Sequence, residues 1–306
     1  MPHLGSPTFA LYPDEEIVPG LIRVGLSLID RTCTVLDAEP LDLDVRVHEA
    51  RKSMKKTRAL FRMLRPSIGE VAFARENETV RDAGRVLSEA RDAAVLVMVF
   101  DAVGVLARPA APAIRASLVE LAAEKSGAVT SATIEGVIDS LGDTRERFGA
   151  WPVPLVYGHD GFDLISPGLR RVYRRGRRRM THAIATGTAE AFHQWRKPAK
   201  HLFYQLEILQ FGWASGAPVL VQSARELAEV LGEEHDLAVL HDTIDTLGAG
   251  SEGMRSTVRS QIADRRRQVQ AVACELGDSL FAAPPRDFIA RLGGLWAASR
   301  DHGTAG

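Results

Sequence analysis

The sequence predicts an all-α protein built from two related helical halves. Three observations lead there. Apolar residues recur at three- and four-residue spacing along most of the 306-residue chain, no segment shows sustained strand alternation, and one helix pattern appears twice, 145 residues apart (His48 and His193). A hydrophobic content of 45% is enough for one large domain or two modest ones, each with a real core.

The elements follow in order. The first dozen residues, with Pro2 and Pro7, read as a flexible tail (1–12). Helical patterning runs from about Glu15 to Leu36 and, after Pro40, from about Asp44 to Arg65, where Pro66 is expected to stop it. A third stretch runs from about Asn77 through Ala107. Its most apolar part, Ala93 to Ala107, is broken by Asp101 and too short to span a bilayer, so it reads as a buried helix. Residues 114–141 complete a first repeat of about 13–141. The Gly- and Pro-rich segment 142–168 reads as the linker. The second repeat, about 169–300, has helical patterning over Leu169–Ala185, Glu190–Phe211, Pro218–Leu247, Ser251–Leu280 and Pro285–Ser299.

The net charge of -1 argues against a protein that coats nucleic acid through overall basicity. The distribution of charge is more informative than its sum. Cys33 and Cys274 have neither ligand spacing nor a disulfide framework, which fits a reduced, cytoplasmic setting. The N-terminus has no basic start followed by an apolar run, so no signal peptide and no membrane association are expected.

The duplication is visible at two places. HEARKSMKKTRALFRML from His48 and HQWRKPAKHLFYQLEIL from His193 match at His48/His193, Arg51/Arg196, Lys52/Lys197, Lys55/Lys200 and Leu64/Leu209. LSEARDAAVLV from Leu87 and LGEEHDLAVLH from Leu231 match in the same order, 144 residues apart. Two collinear matches at nearly equal offset are most simply a duplicated helical unit.

A helix turns about 100° per residue, so His48, Arg51, Lys52, Lys55 and Arg62 share one arc, and Ala50, Met54, Leu60, Phe61 and Leu64 lie opposite. In the second copy His193, Arg196, Lys197, Lys200 and Tyr204 share the polar arc, backed by Trp195, Ala199, Leu202, Leu206 and Leu209. Pro198 has no counterpart in the first copy and removes one backbone donor. A basic helix face is ordinarily just a solvated one. Here like charges at i, i+3, i+4 and i+7 repel by a few tenths of a kcal/mol per pair, without interleaved acids along the stripe, and the pattern recurs. Such a row calls for an external anion. A third row, Arg171, Arg174, Arg175, Arg178 and His182, has the same spacing in the second half only.

Arginine donates two parallel bonds to phosphate oxygens, lysine adds mobile charge, and histidine adds a donor that titrates near neutrality. Rows of them suit a long, regularly charged anion: a phosphate polymer or a nucleic-acid backbone. The pairs His235-Asp236 and His241-Asp242 raise the alternative of a metal-dependent phosphohydrolase, but the first repeat has Arg91 where the second has His235, and no further ligands suggest a metal site. Asp92 and Asp236, which match, read as structural pairing groups. No Gly-rich phosphate loop and no nucleophile motif is present.

These motifs resemble those of the CHAD family, the conserved-histidine α-helical domain. The resemblance rests on the two H-x-x-R-K-x-x-K helices, on Arg91-Asp92 and His235-Asp236, and on the Arg-rich helix, and covers nearly the whole chain. It implies a standalone member of two four-helix-bundle-like halves related by pseudo-twofold symmetry, with a basic central groove. It implies non-catalytic binding of inorganic polyphosphate, with no cofactor, and a cytoplasmic location at polyphosphate granules. Nucleic acid is the competing ligand. Carried over by position, the binding candidates are His48, Arg51, Lys52, Lys55, Lys56, Arg58 and Arg62 of the first stripe, and His193, Arg196, Lys197, Lys200, His201 and Tyr204 of the second. Arg171, Arg174, Arg175 and Arg178 join them, with Arg81 and Arg225, which pair in the repeat.

Overall fold

The computed structural model describes residues 9–12, 15–38, 41–103, 111–127, 129–151, 161–213 and 217–303. The described residues form helices and connecting turns, with no strand among them. The first half holds α1 (Ile17–Asp37), α2 (Leu43–Ile68), α3 (Glu70–Val86), α4 (Ser88–Ala102), α5 (Ala111–Gly127) and α6 (Ser131–Gly149). The second holds α7 (Phe162–Thr186), α8 (Ala189–Leu209), α9 (Ala217–Leu247), α10 (Glu252–Leu280) and α11 (Pro285–Gly303).

Local sequence explains the helix ends. The Asp42 carboxylate accepts from the Asp44 N–H at 2.8 Å to start α2, and the Thr188 hydroxyl accepts from the Ala191 N–H at 3.3 Å to start α8. Gly187 closes α7 in the left-handed region at φ 64°. The apolar faces are buried as their periodicity requires: Ala50, Met54, Leu60, Phe61 and Leu64 on α2, and Trp195, Ala199, Leu202, Leu206 and Leu209 on α8.

In the first half α1, α2, α3 and α6 pack in a ring, with α2 against α1 and α3, and α6 against both of these. In the second, α7, α8, α9 and α10 pack in the same sequence of contacts. The main core runs through both, and α2 joins them. It packs on α7 and α8, and Gln205 of α8 donates from Nε2 to the Ala59 carbonyl at 2.9 Å where the two stripe helices cross. Gly168 on α7 meets α2 so closely that a Cβ there would run into the Met63 carbonyl. A smaller core joins the halves a second time: Leu96 and Phe100 of α4 and Ile114 and Leu118 of α5 pack with Leu237, Leu240 and Ile244 of α9 and Val258 and Ile262 of α10.

Several sequence expectations change. Residues 9–12 are not a loose tail: Ala10 and Leu11 are buried, and the Leu11 N–H donates to the Ile208 carbonyl at 2.7 Å. Residues 1–8 lie outside the described residues. Pro66 does not stop α2, which runs on to Ile68 and ends at Gly69 (φ 84°). A proline costs one backbone bond, and one turn from the helix end the following residues still fold helically. The stretch from Asn77 is two helices, divided at the buried Leu87, and residues 104–107 lie outside the described residues. The segment 142–168 is not all linker, because α6 continues to Gly149 and α7 begins at Phe162. Phe148, Trp151, Phe162 and Ile165 are buried, and this apolar anchoring outweighs the helix cost of Gly142 and Pro167. Pro198 does not interrupt α8.

Candidate anion-binding groove

Between the N-terminal half of α2 and the middle and C-terminal part of α8 lies a cleft of about 590 Å³, walled by α4 and α9. From α2 it receives His48, Arg51, Lys52, Lys55 and Lys56, and from α8 Arg196, Lys200, Tyr204 and Glu207. Asp92 comes from α4, and Arg225, Glu229, His235 and Asp236 from α9. Seven Lys and Arg side chains face four carboxylates.

The stripes are less uncompensated than the sequence suggests, because acids arrive from other helices. Arg51 Nη1 is 2.9 Å from Asp92 and also donates to the Ser88 carbonyl at 3.2 Å. Lys56 Nζ lies 2.8 Å from Glu207, which Arg225 approaches at 3.6 Å while lying over the Phe203 ring. Asp92 therefore does pair structurally. Glu207 falls on the polar arc of α8 fourteen residues after His193, and that phase was the signal available in the sequence.

What remains uncompensated lies deep in the groove. Burial, followed by Lys200, Arg51 and Arg196, pushes the Lys55 ammonium down to about 7. Burial and Arg196 push Lys200 down to about 8, against Asp236 and Glu229. Burial lowers Arg196, opposed by Asp236, and its Nε is buried without a hydrogen-bond partner among the described residues. Asp236 is raised by burial despite Arg196 and Lys200. Burial and the nearby Glu207 push Tyr204 up to about 12, so it stays a neutral hydroxyl. These cations crowd one another at a desolvated spot, and an anion placed between them relieves burial and repulsion together.

At the second-half end, His193 Nδ1 lies 3.0 Å from His235 Nδ1 with the rings 4.4 Å apart. Burial and the neighbouring cations lower both, His235 to about 3, so the pair is neutral. Among the described residues no group of three His, Cys, Asp or Glu is placed to hold a metal.

The remaining candidates separate. Arg58 and Arg81 line a side cleft of about 220 Å³ that shares Arg51 and Lys55 with the groove. Arg62 is lowered to about 9 by burial and by Arg58 and Arg175, and His201 is driven well below its usual range by burial and by Arg62, Arg58 and Arg175. Arg171, Arg174 and Arg178 on α7 and Lys197 on α8 are exposed and line neither cleft. Arg225 and its repeat partner Arg81 thus face different clefts.

Fold and site define an all-helical protein with a basic groove between two crossed helices of one repeated pattern. The CHAD domain model matches residues 31–245, and the chain belongs to that family. Solved structures agree in fold. The crystal structure of the CHAD domain from the plant Ricinus communis superposes with a TM-score of 0.61 at 15% identity, over 91% of this chain and 96% of that one. PptA from Streptomyces chartreusis gives 0.61 at 13% identity, over 86% and 98%. No curated protein matches by sequence. Among the described residues no helix is long and apolar enough to cross a membrane.

Proposed function

We propose that the protein binds inorganic polyphosphate in the α2–α8 groove without catalysing its cleavage, on a scaffold whose duplicated halves each contribute one stripe. The observation that carries this reading is the desolvated set Lys55, Arg196 and Lys200, gathered from both helices at one place. A polyphosphate chain carries charge at every unit, so it meets successive cations along the groove and is held through charge. Granule association in the cytoplasm follows from affinity for the polymer. The groove's His-Asp pair supports binding over hydrolysis: His235 is engaged by His193, and Asp236 sits among Arg196 and Lys200.

Nucleic acid is the competing ligand. Tyr204 and Phe203 are both largely buried and give bases little platform for stacking, so polyphosphate is expected to displace bound RNA or DNA. The decisive test is titration of polyphosphate into the Lys55→Glu/Lys200→Glu double variant. Two reversed charges at the desolvated centre are expected to cost at least about 3 kcal/mol of binding, more than 100-fold, with the fold retained. Unchanged affinity in a folded double variant overturns the site.

A further inference from the structure

The two ends of the groove differ. Toward the N-terminus of α2 it is open: the Lys52 and Asp92 side chains are 51% and 61% exposed. At the other end the Lys56 and Glu207 side chains are only 13% and 18% exposed. Lys56 and Glu207 are the last residues of α2 and α8 to line the groove, and Arg225 is the first of α9. These three tie the helices together. Lys56 Nζ lies 2.8 Å from Glu207 Oε2, and Arg225 Nη2 lies 3.6 Å from Oε1. The chain also packs against this end. Lys56 Nζ is 5.9 Å from the centre of the partly buried Phe9 ring, and the Leu11 N–H donates to the carbonyl of Ile208, the residue after Glu207.

Glu207 inverts the charge of its own stripe. Fourteen residues after the histidine, α2 has Arg62 and α8 has Glu207. One carboxylate thus holds two cations that otherwise face the ligand. A phosphate arriving there must displace Glu207 from both and lies against a like charge, which is costly at a partly desolvated site. Lys55 and Lys200, reached before the bridge, have no printed ion pair among the described residues and gain from a ligand.

We propose that Glu207 is a specificity-determining residue that stops the groove, so that the site takes the terminus of a linear polyphosphate chain and not its middle; the class of ligand rests on the polyphosphate reading above. The terminal phosphate carries one more ionisable oxygen than an internal one. A groove that ends at the bridge places this extra charge beside Lys55 and Lys200. The built-in carboxylate rejects a chain that runs through, and repulsion of the wrong ligand contributes to selectivity as attraction for the right one does.

Calorimetric titration with long-chain polyphosphate tests this, comparing free chains with chains capped at both ends as phosphoramidates. Capping is expected to weaken binding to the wild-type protein by at least about 10-fold. In Glu207→Gln the capped and free chains should bind within about 2-fold of each other, because the repelling charge is gone and Lys56 and Arg225 are released to the ligand. Equal binding of capped and free chains by the wild type, with both lost in Lys55→Glu/Lys200→Glu, overturns the end stop and leaves the groove reading standing. This wild-type comparison does not depend on the Glu207 variant folding. A capping penalty that persists undiminished in folded Glu207→Gln overturns the role of Glu207. Absence of any polyphosphate binding overturns both readings.

Discussion

The stripes on α2 and α8 have one pattern and two electrostatic settings. On α2, Arg51 is held by Asp92 at 2.9 Å, and His48 is exposed beside Glu49. On α8, the matched Arg196 is half-buried, with its Nε buried and unpartnered among the described residues, and the matched His193 packs on His235. The difference originates on the helices behind the stripes. Asp92 on α4 reaches Arg51 directly, whereas Asp236 on α9 is itself buried and raised. A duplicated motif therefore does not give duplicated energetics. The paired cation is already partly satisfied before a ligand arrives, and the desolvated one is not. On the binding reading proposed above, Arg196 should therefore hold an anion more strongly than Arg51.

This contrast is breakable in order of expected effect. Arg196→Ala should weaken polyphosphate binding by about 2–3 kcal/mol, the range for a hydrogen bond made by a charged, desolvated group, whereas Arg51→Ala should cost less than about 1 kcal/mol because Asp92 already discounts it. Equal losses in parallel titrations would show that the two settings do not matter to the ligand.

The next effect is pH dependence. Lys55 and Lys200 fall from 10.5 to about 7 and about 8 in the folded protein. The unfolded chain then binds more protons than the folded one between about pH 7 and 10.5, so these two groups make stability rise with pH across that window. A bound polyanion favours the ammonium forms, so binding takes up protons, and affinity falls as pH rises from 7 to 9. Melting temperature against pH, and binding heats in buffers of different ionisation enthalpy, check both signs. The slopes should flatten in Lys55→Gln/Lys200→Gln.

The smallest effect sharpens the comparison instead of breaking it. Asp92→Asn releases Arg51 and removes a carboxylate from the groove, so affinity should rise a few-fold, about 1 kcal/mol or less for an ion pair with an exposed partner. A fall in affinity would mean that Asp92 positions Arg51 for the ligand.

Much of this is legible in the sequence. Helical periodicity gave the buried faces of α2 and α8 residue by residue, since burial of an apolar arc is a local property of phase. Arg51, Lys52 and Lys55 of the first stripe and Arg196 and Lys200 of the second do meet in one groove, while Lys197 does not join them. Proline and glycine punctuation misled at Pro66 and across 142–168. There the signals were local, while the outcome depended on apolar anchors such as Phe148 and Phe162 packing elsewhere in the core. The docking of Leu11 on Ile208 had no local signal, because it pairs residues 197 positions apart through one backbone bond.

The sequence by itself determined the helical class, the recurrence of the basic-helix motif, and which side chains form each basic arc. Those follow from composition and from a period of 3.6 residues. Only the tertiary structure decided how the arcs are divided. Because α8 packs on α2 at Ala59, one continuous row on α2 is divided, with Lys55 in the groove and Arg62 outside it. It also decided which cations are matched, because Asp92 and Glu207 reach their partners from other helices, and charge compensation depends on distance in space, not along the chain.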